Sequence, residues 1–305
     1  MAAHAIRAGA GDAFVCAGVE TVSRFGLGKS DGMPDTKNGR FAESMARTAS
    51  RAQGAADVWE PAPGLPDVYI AMGLTAENVA QAEHVGRAEM DEFAALSQQR
   101  AVAAQNNGFF DREIVPYTTP AGVTVSRDDC PREGTTAEGL AQLKPAFTPD
   151  GVVTAGNACP LNDGAAAVIV MSDTRAAELG ITPLARIVSS GVSGLDPEIM
   201  GLGPVEASRQ ALARAGMSIN DVDFVEINEA FAAQVIPSAR HLGIEIDKLN
   251  VNGGAIALGH PFGMTGSRIM ATLLSTLEDR DATIGLETMC VGGGQGMAMV
   301  VERLS

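Results

Sequence analysis

Asn250-Val-Asn-Gly-Gly-Ala-Ile-Ala-Leu-Gly-His-Pro-Phe-Gly-Met-Thr-Gly-Ser-Arg268 sets one histidine, His260, among five glycines and a proline. Behind it, Ile269, Met270, Leu273, Leu274 and Leu277 recur at helical spacing. The stretch therefore reads as a tight turn that presents His260 at the mouth of a helix. A histidine in such a loop can be purely structural, and the stretch alone leaves that reading open. Outward from it, Ala-rich helical stretches alternate with short β-branched runs, which is the pattern of an α/β fold.

The chain has 305 residues, enough for one large core or two modest ones. It carries 22 basic and 37 acidic side chains, a net charge of −15 that repels nucleic acid and anionic membrane surfaces. An anionic ligand must then be held by local cations or helix N-termini. Cys16, Cys130, Cys159 and Cys290 show neither paired nor metal-type spacing, so no metal site is expected and a cytoplasmic location is the simplest reading. No apolar run approaches the roughly 20 residues needed to span a bilayer.

In chain order, Met1 to Gly9 reads as the last turns of a helix, and Ala13 to Ala17 as a short strand. Gly26 to Pro66, rich in Gly, Pro, Asp and Ser, reads as an irregular excursion outside any sheet. Helices are expected over Thr75–His84 and Glu89–Asn107, followed by short strands at Glu113–Tyr117 and Gly122–Ser126. The next loop holds Arg127, Arg132 and Lys144, either an anion seat or solvated surface charge. Gly164–Met171 is a continuous apolar run of the doubly covered type, and Leu184–Ser189 begins another unit. Pro204 to Gly216 has proline near its start and glycine after its end, as a helix does. Val222–Ile227 reads as a strand, Glu229–His241 as a helix, and Ala282–Glu302 as strand, glycine turn, strand. The glycines after Cys290 open no helix and precede no Lys-Ser/Thr, so the dinucleotide and P-loop readings both fail.

Three features then fall at strand ends or helix mouths: Asn228-Glu-Ala-Phe, the His260 loop and the Cys290 turn. Ligand sites in α/β folds gather at such places. Asn228 could equally be a helix N-cap, and Cys290 a small buried hydrophobe. Together they supply a base, a thiol and polar donors, the equipment of acyl or Claisen chemistry.

At this point Asn228-Glu-Ala-Phe, Asn252-Gly-Gly-Ala-Ile-Ala-Leu-Gly-His-Pro-Phe-Gly-Met-Thr-Gly-Ser-Arg and Cys290-Val-Gly-Gly-Gly resemble the three C-terminal motifs of the acyl-CoA thiolases. Val19-Glu-Thr-Val-Ser, Met72-Gly-Leu-Thr-Ala-Glu-Asn-Val-Ala and Ala155-Gly-Asn-Ala-Cys-Pro-Leu-Asn-Asp-Gly extend the likeness through essentially the whole chain. The resemblance implies a duplicated five-layered α-β-α-β-α fold with an inserted loop domain, its first half incomplete here. It divides the chain into 1–29 (end of the N-terminal half), 30–150 (loop domain), 151–180 (return to the N-terminal half) and 181–305 (C-terminal half).

The resemblance also implies site roles. His260 would activate a nucleophilic cysteine and, with a water held by Asn228, stabilise an enolate oxygen. Cys290 would be the second acid/base, and the Gly292 N–H part of an oxyanion hole. Coenzyme A or acyl contacts are implied at Met72, Arg132, Phe147, Cys159 and Met264. The expected reaction is cleavage of a 3-ketoacyl-CoA by coenzyme A to acetyl-CoA or propionyl-CoA and a shortened acyl-CoA, or the reverse condensation to acetoacetyl-CoA. Coenzyme A is here a substrate; no cofactor is implied, and a homodimer or homotetramer is expected.

Three departures from the family pattern stand out. The nucleophilic cysteine is expected upstream of Met1, with Cys16 no substitute because it falls within the following strand. An internal start codon would account for this; a non-catalytic, acyl-CoA-binding remnant is the competing reading. A first half short of several strands is expected to leave open sheet edges. Cys159-Pro160 stands where many thiolases have Ser-Gly, and Met264 where a smaller residue is frequent. In Asn-Ala-Cys-Pro, Gly191-Val-Ser-Gly-Leu and Met200-Gly-Leu-Gly-Pro the chain looks like actinobacterial thiolases of sterol side-chain and fatty-acid breakdown.

Overall fold

A computed structural model describes residues 1–25, 36–54 and 58–305. The elements that position the site are α1 (Ala2–Arg7), β1 (Ala13–Thr21), α2 (Ala42–Ala52), α3 (Met72–Ala82), α4 (Arg87–Asn106), β2 (Asp163–Met171), α5 (Asp173–Leu179) and β3 (Ala185–Gly194). They continue with α6 (Gly203–Ala215), β4 (Phe224–Ile227), α7 (Ala232–Leu242), the single turn α8 (Ala255–Leu258), α9 (Thr265–Asp279), β5 (Ile284–Val291) and β6 (Gln295–Arg303).

Two sheets are stacked with helices between and outside them. β1 and β2 form an antiparallel pair running from Ala13 opposite Met171 to Thr21 opposite Asp163. The second sheet has the order β3-β6-β5-β4, with β4 and β5 parallel and the other pairs antiparallel. α6 packs on one face of the larger sheet, and α9 packs on its other face while also touching β1 and β2. Arg7 of α1 donates to the Ile187 carbonyl of β3 at 3.5 Å, bridging toward the larger sheet. The principal core lies where α3, α4, α6 and α7 meet the larger sheet, around Ala76, Met90, Phe93, Ala211, Val225, Ile227, Val235 and Leu286. This is the layered α/β stack expected from the sequence.

Local chemistry explains the element ends. α6 has a proline in its first turn and stops at Gly216, whose left-handed φ of 67° a side chain would resist. Gly18 faces the His260 loop so closely that a Cβ on it would lie 1.7 Å from the Gly263 carbonyl oxygen. This strand therefore needs a glycine at that point to dock on the loop.

Several expectations are corrected. Gly164–Met171 is not doubly covered: β2 alternates in exposure, and Val15, Val19 and Ile169 stand open on the far face of the two-stranded sheet. The excursion from Gly26 to Pro66 includes a helix, α2; residues 26–35 and 55–57 of it lie outside the described residues. The strands expected at Glu113–Tyr117 and Gly122–Ser126 shrink to a ladder pairing Tyr117–Thr118 with Thr124–Val125. Asn228 does not cap the helix that follows, because α7 starts at Ala232 with Phe231 at the N-cap position. Among the described residues no helix is long and apolar enough to cross a membrane.

Candidate active site

β4 ends at Ile227, and Asn228 follows with its N–H bonded to the Thr288 carbonyl of β5 at 3.0 Å. The next residue, Glu229, is a fully buried carboxylate that gathers the loop carrying His260. It accepts from Ser97 Oγ of α4 at 2.5 Å, Asn250 Nδ2 at 2.8 Å and the Ile256 N–H at 3.1 Å. Burial raises its pKa while these donors oppose the rise. A Cβ on Gly254 would sit 2.2 Å from the Glu229 carboxyl carbon, so the backbone of the loop is pressed directly onto this anchor.

After α8 the chain turns at Gly259, whose φ is 94° and where a Cβ would lie 2.2 Å from the Asn162 side-chain amide. Only glycine satisfies both conditions. Asn162 Oδ1 then accepts the His260 N–H at 3.1 Å. The imidazole is half-buried, with Phe262 edge-on at 5.2 Å between ring centroids.

Hydrogen-bond accounting fixes the tautomer of His260. Thr265 Oγ1 lies 2.9 Å from the Pro261 carbonyl, which can only accept, so the hydroxyl proton points there. At 2.7 Å from His260 Nδ1, the same oxygen must accept, and Nδ1 carries the ring hydrogen. Nε2 is thus left with its lone pair, toward which Asn228 Nδ2 points across a long 3.4 Å contact. Burial, and secondarily the Arg268 charge, pull the His260 pKa down to about 4, so the ring is a neutral base at ordinary pH. Among the described residues the buried Asn228 Oδ1 has no hydrogen-bond partner.

Cys290, near the end of β5, packs with Met200, Ala230 and Phe231. Its thiol, pushed up to about 12 by burial, donates to Gln234 Oε1 at 3.3 Å. Gln234 Nε2 in turn donates to the Asn228 carbonyl at 3.1 Å. The structure thus joins Asn228, His260 and Cys290 through one set of contacts. A neutral base, a protonated thiol and an amide donor can move a proton at carbon next to an enolate oxygen.

The other residues singled out from sequence fall at different depths. The Cys159 N–H donates to the Ala230 carbonyl at 3.0 Å, and its thiol is pushed up to about 12, by burial first and then by Cys290. Phe147 lies edge-on to Phe231 at 6.1 Å and covers Gly73, the neighbour of the exposed Met72. Gly292 lies in the β5–β6 turn, with open space beside its Cα. Arg132 is exposed; its N–H donates at 2.8 Å to Gln98, whose amide reaches the Ile256 carbonyl of α8. Met264 packs its methyl toward Gly164 of β2. Thr265, Gln234 and Glu229 were not singled out from sequence as site residues. Their signals were faint: a hydroxyl at a helix mouth, an amide one turn into a helix, and an acid followed by apolar residues. Among the described residues no group of His, Cys, Asp or Glu side chains is placed to hold a metal ion.

The thiolase N-terminal domain model matches residues 1–174, and the thiolase C-terminal domain model matches residues 181–303. The chain belongs to the thiolase family. Within that family it is 46% identical to an acetyl-CoA acetyltransferase of Chromobacterium violaceum, over 99% of this chain and 76% of that protein. It is 54% identical to an acetyl-CoA acetyltransferase of Paracoccus denitrificans, over 76% of this chain and 60% of that protein. Among solved thiolases, human mitochondrial 3-ketoacyl-CoA thiolase in complex with CoA superposes with a TM-score of 0.84 at 40% identity, covering 99% of this chain and 74% of that one. The dimeric peroxisomal thiolase of Saccharomyces cerevisiae gives 0.88 at 37% identity, covering 99% and 72%. This thiolase-family chain therefore spans between three fifths and about three quarters of the length of these relatives.

Proposed function

We propose that this site carries out reversible carbon–carbon bond cleavage of a 3-ketoacyl-CoA by coenzyme A, with acetyl-CoA as one product. The observation that carries the reading is the pairing of the Nε2 lone pair of His260 with the Asn228 amide at 3.4 Å, beside the protonated Cys290. In this reading a thiol gives its proton to Nε2 of the neutral His260 as its sulfur adds to the C3 carbonyl carbon. The C2–C3 bond then breaks with its electron pair moving to an acetyl-CoA enolate, whose oxygen accepts hydrogen bonds from the Nε2–H that His260 has just gained and from the Asn228 amide. Cys290 gives its proton to C2 and is left as a thiolate; coenzyme A then displaces the remaining acyl group, its S–H proton returning to Cys290 while His260 returns its proton to the freed thiol. The same steps reversed are the condensation, and one site serves both directions. The coenzyme A in the human relative and the dimer of the yeast relative support coenzyme A as ligand and a homodimer as assembly.

The attacking thiol, in the same proposal, comes from outside residues 1–305. Burial holds Cys159 and Cys290 at about 12, and burial with the neighbouring acids Asp129 and Asp128 holds Cys130 at about 11. A thiol so raised is a poor nucleophile at neutral pH. Cys16 lies inside β1, with its carbonyl held by Ser267 Oγ at 3.1 Å.

The enolate half of the reaction needs no nucleophile, which allows a test on the chain as it stands. Incubation with acetyl-CoA in deuterium oxide should place deuterium in the acetyl methyl group, His260 Nε2 taking the methyl proton and the exchanged Cys290 thiol returning deuterium to the carbon, and Cys290→Ala should abolish that exchange. A folded protein that binds acetyl-CoA without exchange would sink the catalytic reading in favour of a binding remnant. Mass spectrometry of the same mixture should find no acetyl group on any of the four cysteines. An acetylated cysteine, or cleavage of acetoacetyl-CoA by this chain alone, would overturn the external nucleophile.

A further inference from the structure

Gln234 stands one turn into α7, 1% exposed, with its Cβ wedged against Gly201, where an added Cβ would lie 2.7 Å away. Its two amide ends are not interchangeable. The Asn228 carbonyl at 3.1 Å can only accept, so Nε2 must face it. Oε1 then faces Cys290 Sγ at 3.3 Å, and because Oε1 can only accept, the sulfur must carry its hydrogen. We infer that Gln234 is a positioning residue that holds Cys290 as an oriented, protonated thiol and locks it to the backbone of Asn228. The inference rests on the enolate reading above for its purpose, and on geometry alone for its content.

The consequence is a fixed division of labour before substrate arrives. Thr265 leaves His260 with its lone pair on Nε2, and Gln234 leaves Cys290 with its proton. Base and acid are therefore set by two different second partners, on α9 and α7, that converge on Asn228. The hydrogen bond favours the neutral form of the thiol and opposes its ionisation. Burial acts in the same direction. The titratable side chain coupled to this thiol is Cys159, itself raised by burial, on which the Glu229 charge also acts. Cys290, Ala230 and Met200 form one apolar cluster, so Gln234 supplies the polar contact.

The test reads the thiol directly in the whole chain and does not depend on turnover. Alkylation of Cys290 by iodoacetamide at pH 9, followed by peptide mass spectrometry, measures its thiolate fraction. Gln234→Met fills the same space with a poor acceptor and should raise the Cys290 rate by about tenfold, the effect of lowering a thiol pKa by about one unit. Gln234→Glu keeps an acceptor in place, and its rate should stay at or below that of the wild type. A rate in Gln234→Met that is unchanged or slower, or a rise in both variants, overturns the inference, because loosened packing alone would expose the thiol in both. Should Gln234→Met fail to fold, Raman difference spectra of wild type against Cys290→Ala decide the matter. The S–H stretch of Cys290 should lie below that of a free thiol, and a free-thiol frequency overturns the inference. Loss of deuterium exchange with an intact alkylation pattern would sink the proposed reaction and leave the role of Gln234 standing.

Discussion

Thr265 decides which nitrogen of His260 can act as a base, because its single proton is committed to the Pro261 carbonyl. Replacing it by valine preserves the shape and deletes the acceptor for Nδ1–H. An unpaired buried donor costs about 1–3 kcal/mol, enough to favour the tautomer that carries hydrogen on Nε2 instead. The nitrogen facing Asn228 would then have no lone pair. Thr265→Val should therefore slow deuterium exchange into acetyl-CoA by about 10²-fold, in the range that general base catalysis contributes, while Thr265→Ser stays within a few-fold of wild type. Nitrogen-15 shifts of His260 would show the changed tautomer directly. Because burial and Arg268 place the His260 pKa at about 4, the neutral base persists well below the usual histidine range. Exchange should accordingly show no acid limb between pH 8 and pH 5. A midpoint near the ordinary histidine value would mean that the ring is not buried as described.

At the scale of elements, the His260 loop is held from three directions: by Glu229 beneath it, by Asn162 beside it and by β1 against its end. The β1 contact is the most sterically exacting, since Gly18 meets the Gly263 carbonyl with no space for a methyl group. Gly18→Ala should cost about 2–3 kcal/mol, as overpacking of a rigid contact does, and lower the thermal midpoint. An unchanged midpoint would show that β1 and the loop can separate freely. This contact also marks where sequence reading stopped. The helices α3 and α4 and the strand-turn-strand of β5 and β6 were legible because apolar periodicity and glycine punctuation are local signals. The cluster of Asn228, His260 and Cys290 was legible because each lies in a distinctive motif. Gly18 was not, because its reason is a backbone 245 positions away, and α2 was hidden because its apolar positions, Ala42, Met45, Ala46, Ala49 and Ala52, sit amid residues that also suit loops. The far face of β2 was misjudged because an apolar run reports hydrophobicity on both faces, not what covers them. Gln234 and Thr265 act through partners fixed only by folding.

At the scale of the molecule, the middle of the fold holds more acid than its cations can balance. Glu226 on β4 pairs directly with Glu287 on the parallel β5, and Arg268 of α9 approaches Glu226 at 4.0 Å. Among the described residues, buried oxygens of both carboxyls and all three guanidinium nitrogens of Arg268 lack hydrogen-bond partners. Burial raises both carboxyls to about 8, with Arg268 opposing the rise in each. A carboxyl whose folded pKa exceeds its unfolded value of about 4.5 keeps its proton in the native state while the unfolded chain releases it. Its stabilising contribution is therefore complete below about pH 4.5 and is lost as pH rises to about 8. His260 acts oppositely: its pKa falls from 6.5 to about 4, so its contribution is lost as pH falls through that window. Between pH 6.5 and about 7.5 the unfolded-state histidine loses the last of its proton, so its opposing slope fades and the two raised carboxyls dominate. Each contributes a decline of about 1.4 kcal/mol per pH unit there. Urea unfolding across this window should show stability decreasing with pH. Glu226→Gln, nearly identical in shape but unable to ionise, should flatten the decline by about 1.4 kcal/mol per unit. Parallel lines for wild type and Glu226→Gln would mean that Glu226 is already ionised in the native protein, with Arg268 as its full partner. The flattened line would mean instead that the fold keeps a proton on Glu226, two residues before Asn228, and that this strand of the active site is held together by a neutral acid.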